Sequence, residues 1–484
     1  MAARQWLRQF FRRLRRDQRG NAAIVFGLCA MPLAAGAGLA IDTMLAYSVE
    51  DQLQKSLDAA GLAAGRTALP ENVEADARAY FNTNFQGGAR FAEVGDFDVE
   101  VNEVGDELTL SATAQMQTRF MRLFGKDTVT VAARTVINRQ TRGMELALVL
   151  DNTGSMVTDN KIGGLKSAAH ELINILYGNN ETARDLWVAV VPYIAAVNIG
   201  TANRPFLAAG DRVNTNPGAF SPDGWGGCVL ARTTPRDLND DPPSVAPFAS
   251  YLYPDIANPN WSGWQNDWGP GRTPLTRRYV AYSGSVGYWE GYGPNVGCPA
   301  PITPLVRERS TIRAAIDAQM PWYRGGTIIS EGLVWGWRVL SPRWRGLWSG
   351  SDASLPLDYG TANTDKVIVL LTDGDNQMLV QTYNSTRISP YTAYQSHTTL
   401  GVTTEAGAKT ALDTKTTNIC TAIKNRGILL YTISFGDVPS AGGQSLLRAC
   451  ATRPEFYFHS PNNASLRTAF RTIGGQLSNL RIAR

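Results

Sequence analysis

Hydrophobic and polar positions follow three different patterns along this chain of 484 residues. Residues 21–41 form an uncharged, largely apolar stretch of 21 residues. At about 1.5 Å per residue, a helix of that length crosses the roughly 30 Å apolar core of a bilayer. Residues 42–66 then have helical spacing, and their apolar stripe consists of Met44, Val49, Leu53, Leu57 and Ala60. The pattern predicts a membrane helix that continues as one long amphipathic helix.

Shorter elements follow this helix. A second helix is expected at about 72–84. Polar and apolar residues then alternate at 98–101, 107–112 and 128–131, which is typical of strands buried on one face. A long N-terminal helix followed by a small antiparallel sheet is the arrangement of a pilin-like subunit. Residues 42–142 are therefore predicted to form an amphipathic helix plus a small pilin-like α+β region.

The pattern changes at Gly143, where strands and helices begin to alternate. Near-continuous apolar runs, which predict strands, occur at 145–150, 186–191, 366–371 and 427–434, with a short one at 455–459. Helices are expected at about 161–177, 307–319, 329–340, 405–425 and 463–480. Strands that are apolar throughout are typical of a parallel sheet covered on both faces. The prediction for residues 143–484 is a doubly wound, mostly parallel α/β sheet.

Residues 201–304 interrupt this alternation. They hold 15 of the 25 Pro and 13 of the 46 Gly, but also 14 aromatic residues, among them Trp225, Trp261, Trp264, Trp268 and Trp289. A disordered tract would lack so many aromatic residues. The segment is predicted to be a folded, irregular insertion, in which the Trp residues either form a recognition surface or supply a core of their own.

The position of the charges explains the net charge of +4. Seven Arg and one Asp lie in residues 1–20, which leaves 39 basic and 41 acidic residues in the rest of the chain. An Arg-rich leader before the apolar stretch and Asp42 after it place the N-terminus in the cytoplasm by the positive-inside rule. The Arg cluster is thus a topology signal, and no nucleic-acid partner is expected. The alternative is a signal peptide cleaved near Ala37. In both interpretations the bulk of the chain is exported from the cytoplasm.

Four of the five cysteines lie in the exported part. The chain has no C-x-x-C motif and only three His, so a zinc site has few ligands to use. In an oxidising compartment the economical pairing is Cys228 with Cys298 and Cys420 with Cys450. The fifth cysteine, Cys29, lies inside the apolar stretch and serves as a small apolar residue.

Oxygen-bearing side chains follow the predicted strands. Asp151, Thr153 and Ser155 come directly after the first apolar run, Asp373 follows a later one, and Thr327 lies in a Gly-Gly-Thr sequence just before a helix. The carboxyl ends of parallel strands form the crevice where open α/β sheets bind ligands. Because oxygen ligands suit a hard divalent cation, this set of residues predicts a Mg²⁺ site.

These five residues resemble the metal-ion-dependent adhesion site of a von Willebrand factor A domain, over roughly residues 143–482. The resemblance implies that Thr153, Ser155 and Thr327 contact Mg²⁺, or Mn²⁺ or Ca²⁺, directly. Asp151 and Asp373 would complete the coordination directly or through water. The remaining position would accept an Asp or Glu from a protein partner.

The whole chain also resembles the TadG-like proteins of Flp pilus (tight adherence) assembly. The resemblance rests on the leader at 1–20, the single apolar segment at 21–41, the sequence Gly332-Leu333-x-Trp335-Gly336-Trp337-Arg338 and Thr372-Asp373-Gly374. It implies a single-pass protein of the bacterial inner membrane with a periplasmic bulk. It also implies a role in pilus assembly or adhesion with envelope components as partners, and no enzymatic activity. The alternatives are a metal-dependent hydrolase and a secreted adhesin.

Overall fold

The structure is a computed structural model that describes most of the chain. The described residues are 19–65, 70–86, 90–102, 107–138, 142–212, 225–252, 278–281, 287–290, 295, 297–322, 325–379, 381–383, 386–388, 392–437 and 439–482. The chain forms two compact units, residues 1–140 and residues 141–484.

The first unit combines a long helix with a small sheet. Its elements are α1 (Arg19–Ala64), α2 (Pro70–Asn84), β1 (Ala92–Val101), β2 (Glu107–Gln117) and β3 (Thr128–Asn138). The strands form an antiparallel sheet in the order β1-β2-β3. Helix α1 continues through Pro32 without interruption, so one long helix is present, as the sequence pattern predicts.

One face of α1 packs into the core of this unit. Val49, Leu53, Leu57 and Ala60 are fully buried, in agreement with the predicted stripe. The assignment of Met44 to that stripe is wrong, because its side chain is 72% exposed. At about 100° per residue, Met44 lies roughly 140° around the helix from Val49, so it points away from the sheet.

The second unit contains fourteen strands and six helices among the described residues. The strands are β4 (Gly143–Asp151), β5 (Leu186–Tyr193), β6 (Val197–Asn198), β7 (Cys228–Val229), β8 (Arg278–Ala281), β9 (Gly287–Glu290), β10 (Thr303–Val306), β11 (Gly326–Thr327), β12 (Thr364–Thr372), β13 (Gln377–Met378), β14 (Gln381–Tyr383), β15 (Thr386–Ile388), β16 (Leu429–Phe435) and β17 (Tyr457–Ser460). The helices are α3 (Lys161–Tyr177), α4 (Arg309–Asp317), α5 (Ile329–Arg338), α6 (Glu405–Asn425), α7 (Ala441–Cys450) and α8 (Asn463–Ile482).

The main sheet has eight described strands in the order β17-β16-β12-β4-β5-β6-β7, and β10 also pairs with β5. The neighbours from β17 to β5 are parallel, whereas β10, β6 and β7 are joined by antiparallel pairing. The chain begins at β4, builds one half of the sheet through β5 and β10, and then crosses to β12 and builds the other half. The predicted doubly wound, mostly parallel α/β fold is confirmed. Its order reverses between β4 and β12, which is where ligands bind in such sheets.

Helices cover both faces of this sheet. Leu146, Leu148 and Leu150 of β4 point to the face covered by α3, α4 and α8, while Ala147 and Val149 point to the face covered by α5, α6 and α7. Every residue of β4 is buried. This two-sided burial explains why the strands are apolar at consecutive positions.

Helix α7 was not predicted from the sequence. It contains two Gly in ten residues, and Gly lowers helix propensity by about 1 kcal/mol relative to Ala. Two tertiary features compensate for this weakness. The Ser440 side chain caps the helix by accepting a hydrogen bond from the Gly443 N–H, and the Cys420–Cys450 disulfide joins α7 to α6.

The described part of the insertion contributes to the core of the second unit. Trp225 is buried and donates its indole N–H to the carbonyl oxygen of Cys228. Phe206 and Phe248 pack with Trp335 and Trp344 in one aromatic cluster. Trp261, Trp264 and Trp268 lie outside the described residues. Of the two roles left open for the insertion, Phe206, Trp225, Phe248 and Tyr251 serve as core.

Both cysteine pairs that the sequence favours are bonded in the structure. Cys228–Cys298 closes a loop across the insertion, and Cys420–Cys450 spans the segment that contains β16. With sequence separations of 70 and 30 residues, each is expected to stabilise the fold by roughly 3–5 kcal/mol in the chain-entropy model.

Candidate metal centre

The carboxyl ends of β4 and β12 bring the first site residues together. Asp151 is the last residue of β4, and Asp373 directly follows β12. The strands are parallel neighbours with Leu150 opposite Leu371, so the two carboxylates emerge side by side from the same end of the sheet. This is the point at which the strand order reverses.

The Asp151 carboxylate is fully buried and held by two hydrogen bonds. Its Oδ1 accepts the backbone N–H of Thr153 at 2.8 Å, and its Oδ2 accepts the hydroxyl of Thr372 at 2.7 Å. Burial raises the pKa of Asp151 from its usual 3.8 to about 7, and the nearby negative charge of Asp373 adds to this rise. The carboxylate is therefore fixed in position, but its negative charge is poorly neutralised by its surroundings.

The two hydroxyls after β4 converge on the second carboxylate. Ser155 Oγ donates to Asp373 Oδ1 at 2.6 Å, and Thr153 Oγ1 lies 3.4 Å from the same oxygen. The two hydroxyl oxygens are 3.1 Å apart. An Asp-x-Thr-x-Ser sequence that leaves a strand thus places two hydroxyl oxygens beside Asp373, which is 218 residues or more away in sequence.

Thr327 approaches this group from a separate loop. It pairs with Gln377 in the two-residue strands β11 and β13, and its Oγ1 lies 3.6 Å from where a Cβ on Gly374 would be. Gly326 is required before it, because φ is +92° and a Cβ would lie 2.3 Å from the Gln377 carbonyl oxygen. The structure therefore brings Thr327 next to the residue that follows Asp373.

Lys161 is a site residue that the sequence analysis missed. Its Nζ donates to Asp373 Oδ2 at 2.9 Å, and its side chain is only 7% exposed. Asp159 and Asn160 adopt left-handed backbone conformations that turn the chain into α3. This turn directs the first residue of the helix back to the carboxylates. The available sequence signal is a Lys six residues after the Asp-x-Thr-x-Ser motif.

The donor set fits a hard divalent cation. Among the described residues, no group of three or more His, Cys, Asp or Glu side chains is placed to hold a metal, so an ion here would need the hydroxyls as well as the two carboxylates. Such an all-oxygen set is the chemistry that Mg²⁺ and Ca²⁺ prefer. The raised pKa of Asp151 also fits, because a cation would remove the repulsion between the two carboxylates. The next residue along the chain from Asp151 is Asn152, whose side-chain amide is buried and has no hydrogen-bond partner among the described residues.

A serine–histidine pair occurs elsewhere on the sheet. Ser434 Oγ lies 2.9 Å from His459 Nδ1 and 3.0 Å from the hydroxyl of Tyr457. Sequence spacing did not reveal this pair, because β16 and β17 become neighbours only in the sheet. Ser434 is fully buried, so its hydroxyl is not accessible to a substrate, and the pair links two strands.

The N-terminal helix has a recognisable family pattern. A family model described as "Putative Flp pilus-assembly TadE/G-like" matches residues 20–67. Over these residues the chain is similar to the TadE/G-like family. The TadE/G-like match covers nearly all of α1, and 25–64 is the one described helix that is long and apolar enough to cross a membrane. No curated protein matches the chain.

Solved structures that match this chain include a vWF domain and an adhesive tip pilin. The vWF domain of the type V pili tip protein Mfa5 from Porphyromonas gingivalis has 11% identity and a TM-score of 0.35, covering 71% of this chain and 97% of that one. The adhesive tip pilin GBS104 from Group B Streptococcus agalactiae has 11% identity and a TM-score of 0.34, covering 80% and 70%.

Proximal thread matrix protein 1 from the mussel byssus, with a zinc-occupied MIDAS motif, has 13% identity and a TM-score of 0.31. The match covers 70% of this chain and 46% of the mussel protein. The chain thus spans about half the length of that protein.

Proposed function

We propose that this chain is a membrane-anchored, periplasm-exposed pilus assembly or adhesion factor. In this proposal Asp151, Thr153, Ser155, Thr327 and Asp373 hold Mg²⁺, or Mn²⁺ or Ca²⁺, and the ion binds an Asp or Glu of a protein partner. The observation that carries the proposal is the convergence of the Asp151 and Asp373 carboxylates with the Thr153 and Ser155 hydroxyls at the switch point of the sheet.

The charges around the site favour an acidic partner. Ionised Asp151 and Asp373 would neutralise a divalent ion, and Lys161 at 2.9 Å from Asp373 would leave the loaded site with one net positive charge. A carboxylate from a partner would restore neutrality and occupy an open coordination position. A site of this kind binds and releases an acidic side chain without chemical conversion, so the proposed activity is adhesion and not catalysis.

The membrane part of the proposal rests on α1. Val25, Phe26, Leu28, Met31 and Leu33 are all more than half exposed. A helix with such residues on all sides is stable in lipid and unstable in water. Together with the TadE/G-like match, this supports a single-pass anchor. In this proposal the N-terminus lies in the cytoplasm of a bacterium and the second unit in the periplasm, which the Arg-rich leader supports by the positive-inside rule.

Partner binding is expected to depend on the divalent ion. Full-length protein purified in detergent with Mg²⁺ should retain envelope proteins of its native host and release them when EDTA is added. An Asp151→Asn protein should retain none of them, whereas Asp358→Asn, which changes an exposed carboxylate paired with Arg345, should behave as wild type. Retention that is equal in Mg²⁺ and EDTA would contradict a metal-mediated contact.

Metal affinity is expected to rise with pH between about pH 6 and pH 8. Burial and Asp373 hold the pKa of Asp151 at about 7, so at pH 6 the ion must displace a proton from this carboxyl, while at pH 8 it need not. Calorimetry at pH 6 in two buffers of different ionisation enthalpy should report release of close to one proton per Mg²⁺. Identical heats in the two buffers would show that Asp151 does not change protonation on binding.

A further inference from the structure

An exposed loop of the first unit carries large apolar side chains. The connection between β2 and β3 contains a short 3-10 helix, Met121–Phe124, in which no residue is buried. Leu123 is 76% exposed and Phe124 is 62% exposed. Residues 119–126, called here the 119–126 loop, also include Arg119, Arg122 and Lys126, all exposed. Apolar tips surrounded by basic side chains are typical of segments that lie in a membrane interface.

The loop is fixed to α1 by a buried carboxylate. Asp42 is 1% exposed and accepts three backbone N–H groups, from Arg119 at 3.0 Å and from Phe120 and Met121 at 2.7 Å each. One turn earlier, the Phe120 ring lies against Gly38, where a Cβ would come within 2.6 Å of it. The loop therefore has a fixed height along the helix, level with residues 38–42.

This height coincides with one end of the apolar stretch. The uncharged segment ends at Ile41, and from Val25 to Ala37 no described residue of α1 is buried. Counting from Val25, Gly38 is the first buried residue of the helix, and Asp42 is the next. At about 1.5 Å per residue, residues 21–41 span roughly 30 Å. If they cross the bilayer core, the loop lies at the boundary where the helix leaves it.

We propose that the 119–126 loop inserts Leu123 and Phe124 into the phospholipid bilayer that α1 crosses, on the side of the second unit. The basic side chains of Arg119, Arg122 and Lys126 then lie among the lipid phosphates, where cations are attracted to anionic headgroups. This inference rests on the membrane anchor of the proposed function. It gives the first unit two contacts with one bilayer, which fixes the rotation of α1 as well as its depth.

Three proteins, each with one free cysteine, test the insertion in lipid nanodiscs of phosphatidylcholine and phosphatidylglycerol. Nanodiscs leave both membrane faces accessible. Cys29 is the only free cysteine, so wild type carries a label in the apolar segment. Cys29→Ser combined with Leu123→Cys places the label on the loop. Cys29→Ser combined with Val136→Cys is the control, since Val136 is 44% exposed and lies eight residues along β3, roughly 27 Å from the start of that strand.

Each protein is labelled with an environment-sensitive fluorophore and exposed to aqueous iodide or to a lipid-borne nitroxide. Labels at 29 and 123 should be quenched several-fold more strongly by the nitroxide than the label at 136, which iodide should quench best. If the label at residue 123 is quenched like the label at residue 136, while the label at residue 29 is protected from iodide, the loop insertion is wrong and the membrane anchor stands. If iodide quenches the label at residue 29, both the membrane anchor and the loop insertion are wrong. Protection at 123 that disappears when each nanodisc holds a single chain would indicate a protein contact and overturn the lipid assignment.

Discussion

Replacing Asp151 by Asn is expected to abolish Mg²⁺ binding while making the metal-free protein more stable. The amide has the same shape, and its oxygen can still accept the Thr153 N–H. It removes one of the two negative charges that a divalent ion requires, so affinity should fall by at least about 100-fold, the effect of roughly 2.7 kcal/mol.

The stability change follows from the pKa of Asp151. Burial raises this pKa from 3.8 to about 7, so the folded protein favours the neutral carboxyl. The resulting stabilisation is complete below pH 3.8 and is lost as the pH rises through about 7. At pH 8 wild type carries a buried charge beside Asp373, and Asp151→Asn should be more stable by about 1–3 kcal/mol.

Tryptophan fluorescence can measure both effects in the full-length protein, because 11 of the 12 Trp lie in residues 141–484. At pH 8 the unfolding temperature of wild type should rise when Mg²⁺ is added. Asp151→Asn should have a higher unfolding temperature without metal, and Mg²⁺ should not change it. Asp358→Asn should follow wild type. If Asp151→Asn keeps the Mg²⁺ response, Asp151 is not a metal ligand. If Asp151→Asn is less stable than wild type without metal, the argument from the buried charge is wrong.

Replacing Lys366 by Met is expected to cost about 3–5 kcal/mol of stability. Lys366 forms a buried ion pair with Glu145, its direct neighbour across β4 and β12. Its Nζ also donates to the carbonyl oxygen of Leu340 at 2.9 Å. The Met side chain fills the space of the Lys stem but leaves the Glu145 charge buried and unpaired. Removing one member of such a pair is far more costly than removing both.

Denaturant titration followed by tryptophan fluorescence measures this cost. Burial already raises the pKa of Glu145, and Lys366 lowers it. Without Lys366 the pKa rises further, so the stability of Lys366→Met should fall as the pH increases, and the loss should be larger at pH 8 than at pH 5. The double variant Glu145→Gln with Lys366→Met should recover much of the stability. A loss that is equal at both pH values would show that Glu145 is not left charged.

The candidate metal site shows how far sequence reasoning reaches. Asp-x-Thr-x-Ser after an apolar strand and Asp373 after another were predicted to lie close together because the carboxyl ends of parallel strands meet at one edge of a sheet, and the structure brings them together. Lys161 was missed because a single Lys at the start of a helix has no distinctive pattern. Its role depends on a left-handed turn at Asp159 and Asn160, and such turns follow from the tertiary context.

In the long helix, too, some features were predictable from the sequence and others were not. The apolar length and the leading Arg residues indicated a membrane anchor, but Met44 was placed on the wrong face because a periodic stripe is ambiguous near its end. The fixed contact between Asp42 and the 119–126 loop joins residues nearly 80 positions apart, and no local pattern connects them.

By itself, the sequence of this protein predicted most of the helices and main strands, the class of the sheet, the pairing of its cysteines and the side chains of a candidate cation site. These properties follow from local periodicity and from residue chemistry. The tertiary structure alone decided that Lys161 balances Asp373, that Glu145 pairs with Lys366, and that an apolar loop lies level with the end of the membrane segment. Each of these depends on strand order and on turns that bring distant residues together, because packing and charge act through space and not along the chain.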